Sequence, residues 1–306
     1  MIGRITVGMT FLLVTAASLH AQETSFWEKF MPRVHYFEPL VADPLEPRMG
    51  IGLIQTNVFE RAVLGHERLQ PFDFPDPEDS SSDVNAAAAI GGSIPLLRLA
   101  DWGERGGVVA SAQLGVFSRF RIEYPSRDDV GQDWFVGMPF EFRSNQWTGR
   151  FRIMHRSSHI GDELVETTGA SRIEFGGEFA DFLLGYAFVP NTRVYGGATW
   201  NFRSYTEQLP ALRARDMHDT FALQAGIDGA WYGWSEGRTG LIGGFDWQSA
   251  QRTGWRSQFS ATGGFAARVG TQGTKLLLRY FHGPSSLGEF FLTPETFLGI
   301  EWVVDF

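Results

Sequence analysis

The chain contains no cysteine. That absence excludes a disulfide scaffold, a thiolate metal site and a lipid-modified cysteine as an anchor. It also suits a protein that crosses an oxidising periplasm before folding. Basic residues are in the minority, 26 Lys and Arg against 35 Asp and Glu, and the formal net charge is -9. A nucleic-acid partner needs a basic face to displace counterions, so none is expected. Long apolar runs are missing too: past the N-terminus no stretch approaches the ~18 residues of a membrane helix. With a mean hydropathy of -0.14, helical spans are not expected. No P-loop, nucleotide-binding Gly-rich loop or zinc-ligand spacing occurs, so no soluble cofactor is implied. The Gly176-Gly177 pair reads as a strand bend.

What is abundant is glycine (36), phenylalanine (27) and tryptophan (10). This composition suits many strands between tight turns, with aromatic girdles at two membrane interfaces. Arg4, the apolar run Ile5 to Val14 and the small residues up to Ala21 come in secretory order, so residues 1–21 are expected to be a signal peptide and Gln22 the mature start. Residues 22–47 carry Pro32, Pro39, Pro44 and Pro47, which remove ladder donors, and read as an extended periplasmic lead-in.

From Arg48 to Phe306 about twelve alternating segments recur, with connections that are alternately short and long. Their expected starts are Arg48, Val84, Gly107, Asp133, Trp147, Ser171, Arg193, His218, Arg238, Trp255, Gly273 and Pro294. The pattern predicts an all-β, antiparallel up-and-down transmembrane barrel over residues 48–306. An even count puts both termini on one side. Tight turns at Asn145-Gln146, Pro190-Asn191-Thr192 and Thr271-Gln272 share that side, the periplasm, and long loops such as the acidic Phe59 to Asp83 face outward.

Period-2 alternation gives this pattern its physical basis. Val108, Ala110, Ala112, Leu114 and Val116 oppose Ser111, Gln113, Arg119 and Arg121, while Trp134, Val136, Met138, Phe140 and Phe142 oppose Glu141 and Arg143. Phe221, Leu223, Ala225, Ile227 and Trp231 oppose Gln224 and Asp228, and Leu241, Phe245 and Trp247 oppose Arg238, Asp246 and Gln248. A soluble β-sandwich also alternates, but its core would not tolerate these inner charges; a wet lumen does. Arg150, Arg152 and Arg156 are expected to meet Glu141, Glu174 and Glu178 across the bore, either as a ladder that fills it or around a small-solute channel. The last segment, Leu298, Ile300, Trp302, Val304 and Phe306, resembles the C-terminal signal strand read by the barrel-assembly machinery.

The stretch His155-Arg156-Ser157-Ser158-His159-Ile160-Gly161-Asp162-Glu163 is the candidate for chemistry. On a strand, His155, Ser157 and His159 share the lipid face with Phe151 and Ile153, opposite Arg150, Arg152, Arg156 and Ser158. Neighbours two apart stand about 6.6 Å apart at the α-carbon, a gap that an imidazole leaning along the strand can close to a serine hydroxyl. Two readings stand: Ser157 as a nucleophile with His155 as general base, His159, Glu163 or Glu166 being left to orient it, or three polar residues resting at headgroup depth, where they cost only about 0 to 1 kcal/mol. The expected outward positions of the sixth segment, Ile173, Phe175, Phe179 and Leu183, offer no carboxylate for that role. Asp162 and Glu163 read either as ligands of a cation such as Ca2+, bridging lipopolysaccharide or a reaction oxyanion, or as charges capping a loop. Asp73, Asp76, Glu78, Asp79 and Asp83 read mainly as a solvated acidic loop. Outer-membrane lipid and lipopolysaccharide are the expected partners.

Phe37-Glu38-Pro39-Leu40-Val41-Ala42-Asp43-Pro44 with Glu46-Pro47-Arg48, the His155 to Glu163 stretch, Arg193-Val194-Tyr195-Gly196-Gly197 and Gly283-Pro284-Ser285-Ser286-Leu287-Gly288-Glu289-Phe290 resemble the family called domain of unknown function 1207. The resemblance covers essentially the whole mature chain and implies a Gram-negative outer-membrane-type protein, with no activity attached. The His-x-Ser pair is also similar to the catalytic His-x-Ser-Asn of outer-membrane phospholipase A and of the lipid A deacylase. That similarity is local and departs at Ser158, where those enzymes carry Asn. The role it implies is lipid acyl hydrolysis at the outer leaflet; the other readings are a channel and a structural or surface protein.

Overall fold

A computed structural model describes residues 29–56, 83–122, 129–168, 175–204, 220–269, 272–291 and 293–305. The expected signal peptide, the acidic residues Asp73, Asp76, Glu78 and Asp79, the ladder residue Glu174 and the terminal Phe306 lie outside the described residues. Alternating segments become twelve strands: β1 (Met49–Thr56), β2 (Asp83–Asp101), β3 (Gly106–Arg121), β4 (Asp129–Ser144), β5 (Trp147–Ile160), β6 (Phe175–Val189), β7 (Thr192–Ser204), β8 (Thr220–Trp234), β9 (Thr239–Ala250), β10 (Arg256–Val269), β11 (Gln272–Pro284) and β12 (Pro294–Asp305). Each pairs antiparallel with its neighbours in sequence, and β1 pairs with β12, so the sheet closes into a barrel without edges. A short helix, α1 (Asp162–Thr168), follows β5. Asn145 and Asn191, at φ 55° and 57°, make the left-handed corners of the β4–β5 and β6–β7 turns.

The wall is apolar outside and charged inside. Leu114, Val136, Met138 and Ile300 are more than half exposed, whereas Glu141, Arg150, Asp181 and Asp246 are buried. A soluble sandwich would invert this pattern. The expected faces hold in β3, β4, β5, β8, β9 and β12, except that Arg238, expected inside with Asp246 and Gln248, lies in the turn before β9 with its side chain 70% exposed.

In β6 the expected phase is corrected. Phe175, Phe179 and Leu183 are buried inward, and Glu178 shares the outer face with Phe182, Leu184 and Tyr186. The interior here is not wet. Leu183 packs on Phe37 and Leu40, and the Phe175 ring lies 5.4 Å from that of Phe291. Apolar plugs inside the bore remove the polar-inside signature by which the faces of a strand are told apart.

The larger plug is the N-terminal segment, so the expected periplasmic lead-in is corrected for its described part. Met31 N–H donates to the Leu96 carbonyl near the end of β2, and from there the chain enters the bore. Glu141 accepts from the backbone N–H groups of Tyr36 and Phe37. The Phe37 ring is contacted by Arg150 and Arg193, whose guanidinium carbons lie 4.9 and 4.4 Å from its centroid. Asp43 accepts from Gln224 and Gln248, and Glu46 receives both terminal nitrogens of Arg150. The composition of the segment suits a place inside the bore, since its prolines need no ladder partners and its Asp43 and Glu46 accept from lumenal donors.

The second plug is the β11–β12 connection, whose described residues 285–291 and 293 are folded inward. Gly288 N–H donates to Asp133 and Glu289 N–H to Ser158, while Arg156 bonds both Asp133 (2.8 Å) and the Ser286 carbonyl (2.7 Å). Only glycine fits at 288, since a Cβ would come within 2.6 Å of the Ser158 side chain. The inner charges therefore do pair, but with partners the alternation did not name. Arg150 meets Glu46, Arg152 meets Asp181 and Gln113, and Arg156 meets Asp133. Glu141 serves the plug, and Glu178 leaves the expected ladder for the outer face. Between the plugs and the wall of β1, β2, β3, β11 and β12 lies a cavity of about 60 Å³, room for a few waters.

Candidate functional site

β5 carries His155, Ser157 and His159 on its outer face near the rim that bears α1. The Ser157 hydroxyl and His159 Nε2 are 2.8 Å apart, a good hydrogen bond. The sequence reading joins the hydroxyl to His155; in this geometry its partner is His159, one step nearer the strand end. His155 instead faces β6, where the register places Glu178 directly opposite, with Nδ1 3.4 Å from the carboxylate. Sequence reasoning missed Glu178 because it inverts the phase of β6. Asp181 is the signal that corrects it: an acid in the same alternation row as Phe175, Phe179 and Leu183 marks that row as inward.

The polar row continues to β7. There β7 carries a bulge, with Phe179 opposite Asn201 but Glu178 opposite Arg203, so the extra residue Phe202 is bypassed. Arg203 Nε lies 3.9 Å from Glu178 Oε2. Trp134 stands opposite Ser157 on β4 and Gly176 opposite it on β6, so one flank of the hydroxyl is aromatic and the other is open. One step toward the other rim, the wall turns apolar at Ile153, Ala180 and Phe182. Behind the row, the bonds from Ser158, Arg156 and Asp133 to the inward loop hold β5 from the lumen side. Position 158 faces inward, so its departure from Asn does not alter the outer row.

Glu163 and Glu166 are exposed on α1, and the carboxylate found against His155 is Glu178. Asp162 and Glu163 stand side by side at the start of α1, both exposed. Consecutive helical residues project about 100° apart, and among the described residues no group of three His, Asp or Glu converges to hold an ion. A wide hollow of about 780 Å³ does indent the outer wall, but it lies on β1, β2, β11 and β12, is apolar throughout its centre (Leu53, Ala86, Ala88, Ile300), and does not include the polar row.

Residues 76–306 match the family described as "Protein of unknown function (DUF1207)". The chain belongs to this family. No curated protein matches it. Among solved structures it is similar to outer membrane phospholipase A from Escherichia coli, at TM-score 0.53 and 13% identity, covering 90% of this chain and 95% of that one. The Salmonella typhi outer membrane phospholipase dimer with bound calcium gives TM-score 0.53 and 12% identity over 92% and 97% of the two chains. An active-site asparagine mutant of the E. coli enzyme gives TM-score 0.50 and 12% identity over 86% and 93%. At these identities the likeness is one of fold: an outer-membrane-type β-barrel.

Proposed function

We propose that the barrel sits in the outer membrane of a Gram-negative cell and is a serine-type lipid acyl hydrolase acting at the outer leaflet. The observation that carries the reading is the hydroxyl–imidazole pair of Ser157 and His159, beside the imidazole–carboxylate pair of His155 and Glu178, all on the membrane-facing wall. Ser157 has an imidazole within hydrogen-bond reach and His155 has a carboxylate beside it, the group types that acyl transfer requires of nucleophile, base and orienting acid. Signal-peptide export, assembly through Phe306 and periplasmic termini complete the reading, and they put the row near the cell surface.

In the proposed reaction Ser157 Oγ attacks an ester carbonyl carbon while its proton passes to an imidazole. Collapse of the tetrahedral adduct breaks the acyl C–O bond, and the imidazolium returns the proton to the departing alcohol oxygen. Water, deprotonated by the same imidazole, then releases the fatty acid and regenerates Ser157. His155 is assigned as the base because Glu178 stands behind it to hold the ring and stabilise its cation. This assignment requires a staggered rotation about Ser157 χ1 to carry the hydroxyl from His159 toward His155. The 2.8 Å bond favours a second arrangement, with His159 as base. No step is routed through a cation, because the acidic residues present do not converge on one. A passive channel is disfavoured by the two plugs.

Purified protein assayed for fatty-acid release from phospholipid and from lipid A tests the reading. Ser157→Ala is expected to abolish release. His155→Ala and His159→Ala identify the base by the larger loss. No cleavage by the unmodified protein, or undiminished cleavage by Ser157→Ala, overturns it.

A further inference from the structure

We infer that Arg203 is the headgroup-binding residue of this site and selects glycerophospholipids through their phosphate. This rests on the hydrolase reading for its consequence in turnover, though not for the binding itself. Arg203 is the penultimate residue of β7, and its side chain is 63% exposed on the outer wall. An outward arginine is costly at mid-bilayer but nearly neutral at the interface, so its place at the strand end fixes it at headgroup depth. Trp200 and Phe202, with rings 5.4 Å apart, lie beside it as an interfacial anchor.

The bulge decides which residue reaches the site. Without the extra residue, Phe202 would stand opposite Glu178; with it, Arg203 does. Bulges at barrel rims re-aim side chains in this way. Of the two formal charges in the row, Glu178 is 25% exposed and turned toward His155, while Arg203 is the approachable one. An incoming headgroup therefore meets a cation, and a guanidinium fork suits phosphate oxygens. Arg203 stands two strand spacings, ~10 Å, from β5. A glycerol backbone links phosphate and acyl ester over a few bonds, and the long arginine side chain spans the remainder.

The test measures binding and turnover separately, in detergent-solubilised full-length protein. Phosphatidylglycerol and diacylglycerol of the same acyl chains are titrated against the Ser157→Ala form, following tryptophan fluorescence, with and without Arg203→Gln or Arg203→Lys. Phosphatidylglycerol should bind roughly 10- to 100-fold more tightly than diacylglycerol, the contribution of a charged hydrogen bond. Arg203→Gln should remove that preference and Arg203→Lys retain part of it. In the form with Ser157 intact, Arg203→Gln should raise KM for phosphatidylglycerol roughly 10- to 100-fold more than it raises KM for diacylglycerol. The proposal is overturned if there is no preference, if a preference survives Arg203→Gln, or if inorganic phosphate alone saturates the site. An Arg203-dependent preference without any ester cleavage sinks the hydrolase reading and leaves the phosphate site standing.

Discussion

The bore and the outer rim of this barrel both hold charged residues, and they use them in opposite ways. Inside, arginines are buried and matched: Arg150 with Glu46, Arg152 with Asp181, Arg193 with Asp228, Arg279 with Glu301, Arg119 with Glu295. On the rim, His155, Ser157, His159, Glu178 and Arg203 stand at the surface of a wall that needs no polarity. Buried ion pairs in the bore answer a structural demand, since an unmatched charge there is costly. Polar groups at headgroup depth answer no such demand, since they are nearly neutral there, and in the proposed reading they serve chemistry.

The comparison breaks first at Ser157. Ser157→Ala should lower kcat for ester hydrolysis by at least ~10³-fold, while the barrel's resistance to unfolding in detergent stays unchanged. The reverse is expected of Glu46→Ala, which leaves the Arg150 guanidinium buried without its carboxylate. Its cost should be about 3–5 kcal/mol, measured by denaturant unfolding, and the loosened plug should let small ions through in planar-bilayer recordings. If Glu46→Ala proves neutral, the bore is not organised around the plug. Glu178→Gln should act on catalysis alone: kcat down roughly 10- to 100-fold with KM held, because the base loses its orienting charge but the surface stays the same. The smallest effect is expected of Asp162→Asn with Glu163→Gln. Calcium dependence and rate should both remain as in the unmodified protein, and a loss of calcium response would restore the cation site.

Much of this is legible along the chain, for a local reason. Alternation is a property of one strand at a time, so β5 reveals from its own residues that His155, Ser157 and His159 share a face with Ile153. Strand starts follow the same logic, and the expected starts at Trp147 and Pro294 are those of β5 and β12. The sixth strand fails where that logic stops. Phe175 and Leu183 point inward onto Phe291 and onto Phe37 and Leu40, partners more than a hundred positions away, and within β6 Asp181 is the one charged residue that marks their row as inward.

The sequence by itself determined the wall. Periodicity, connection lengths and the inner charges left a closed antiparallel barrel as their consistent reading, because a membrane admits no open edge and no unpaired backbone. The tertiary structure decided what the wall encloses and which groups meet across it. It drew residues 36–47 into the bore as a plug instead of a lead-in, and it set Glu178 against His155 and Arg203 beside Glu178. Those are questions of register and of long-range pairing, and a one-residue slip in register would exchange every partner while leaving the alternation within each strand intact.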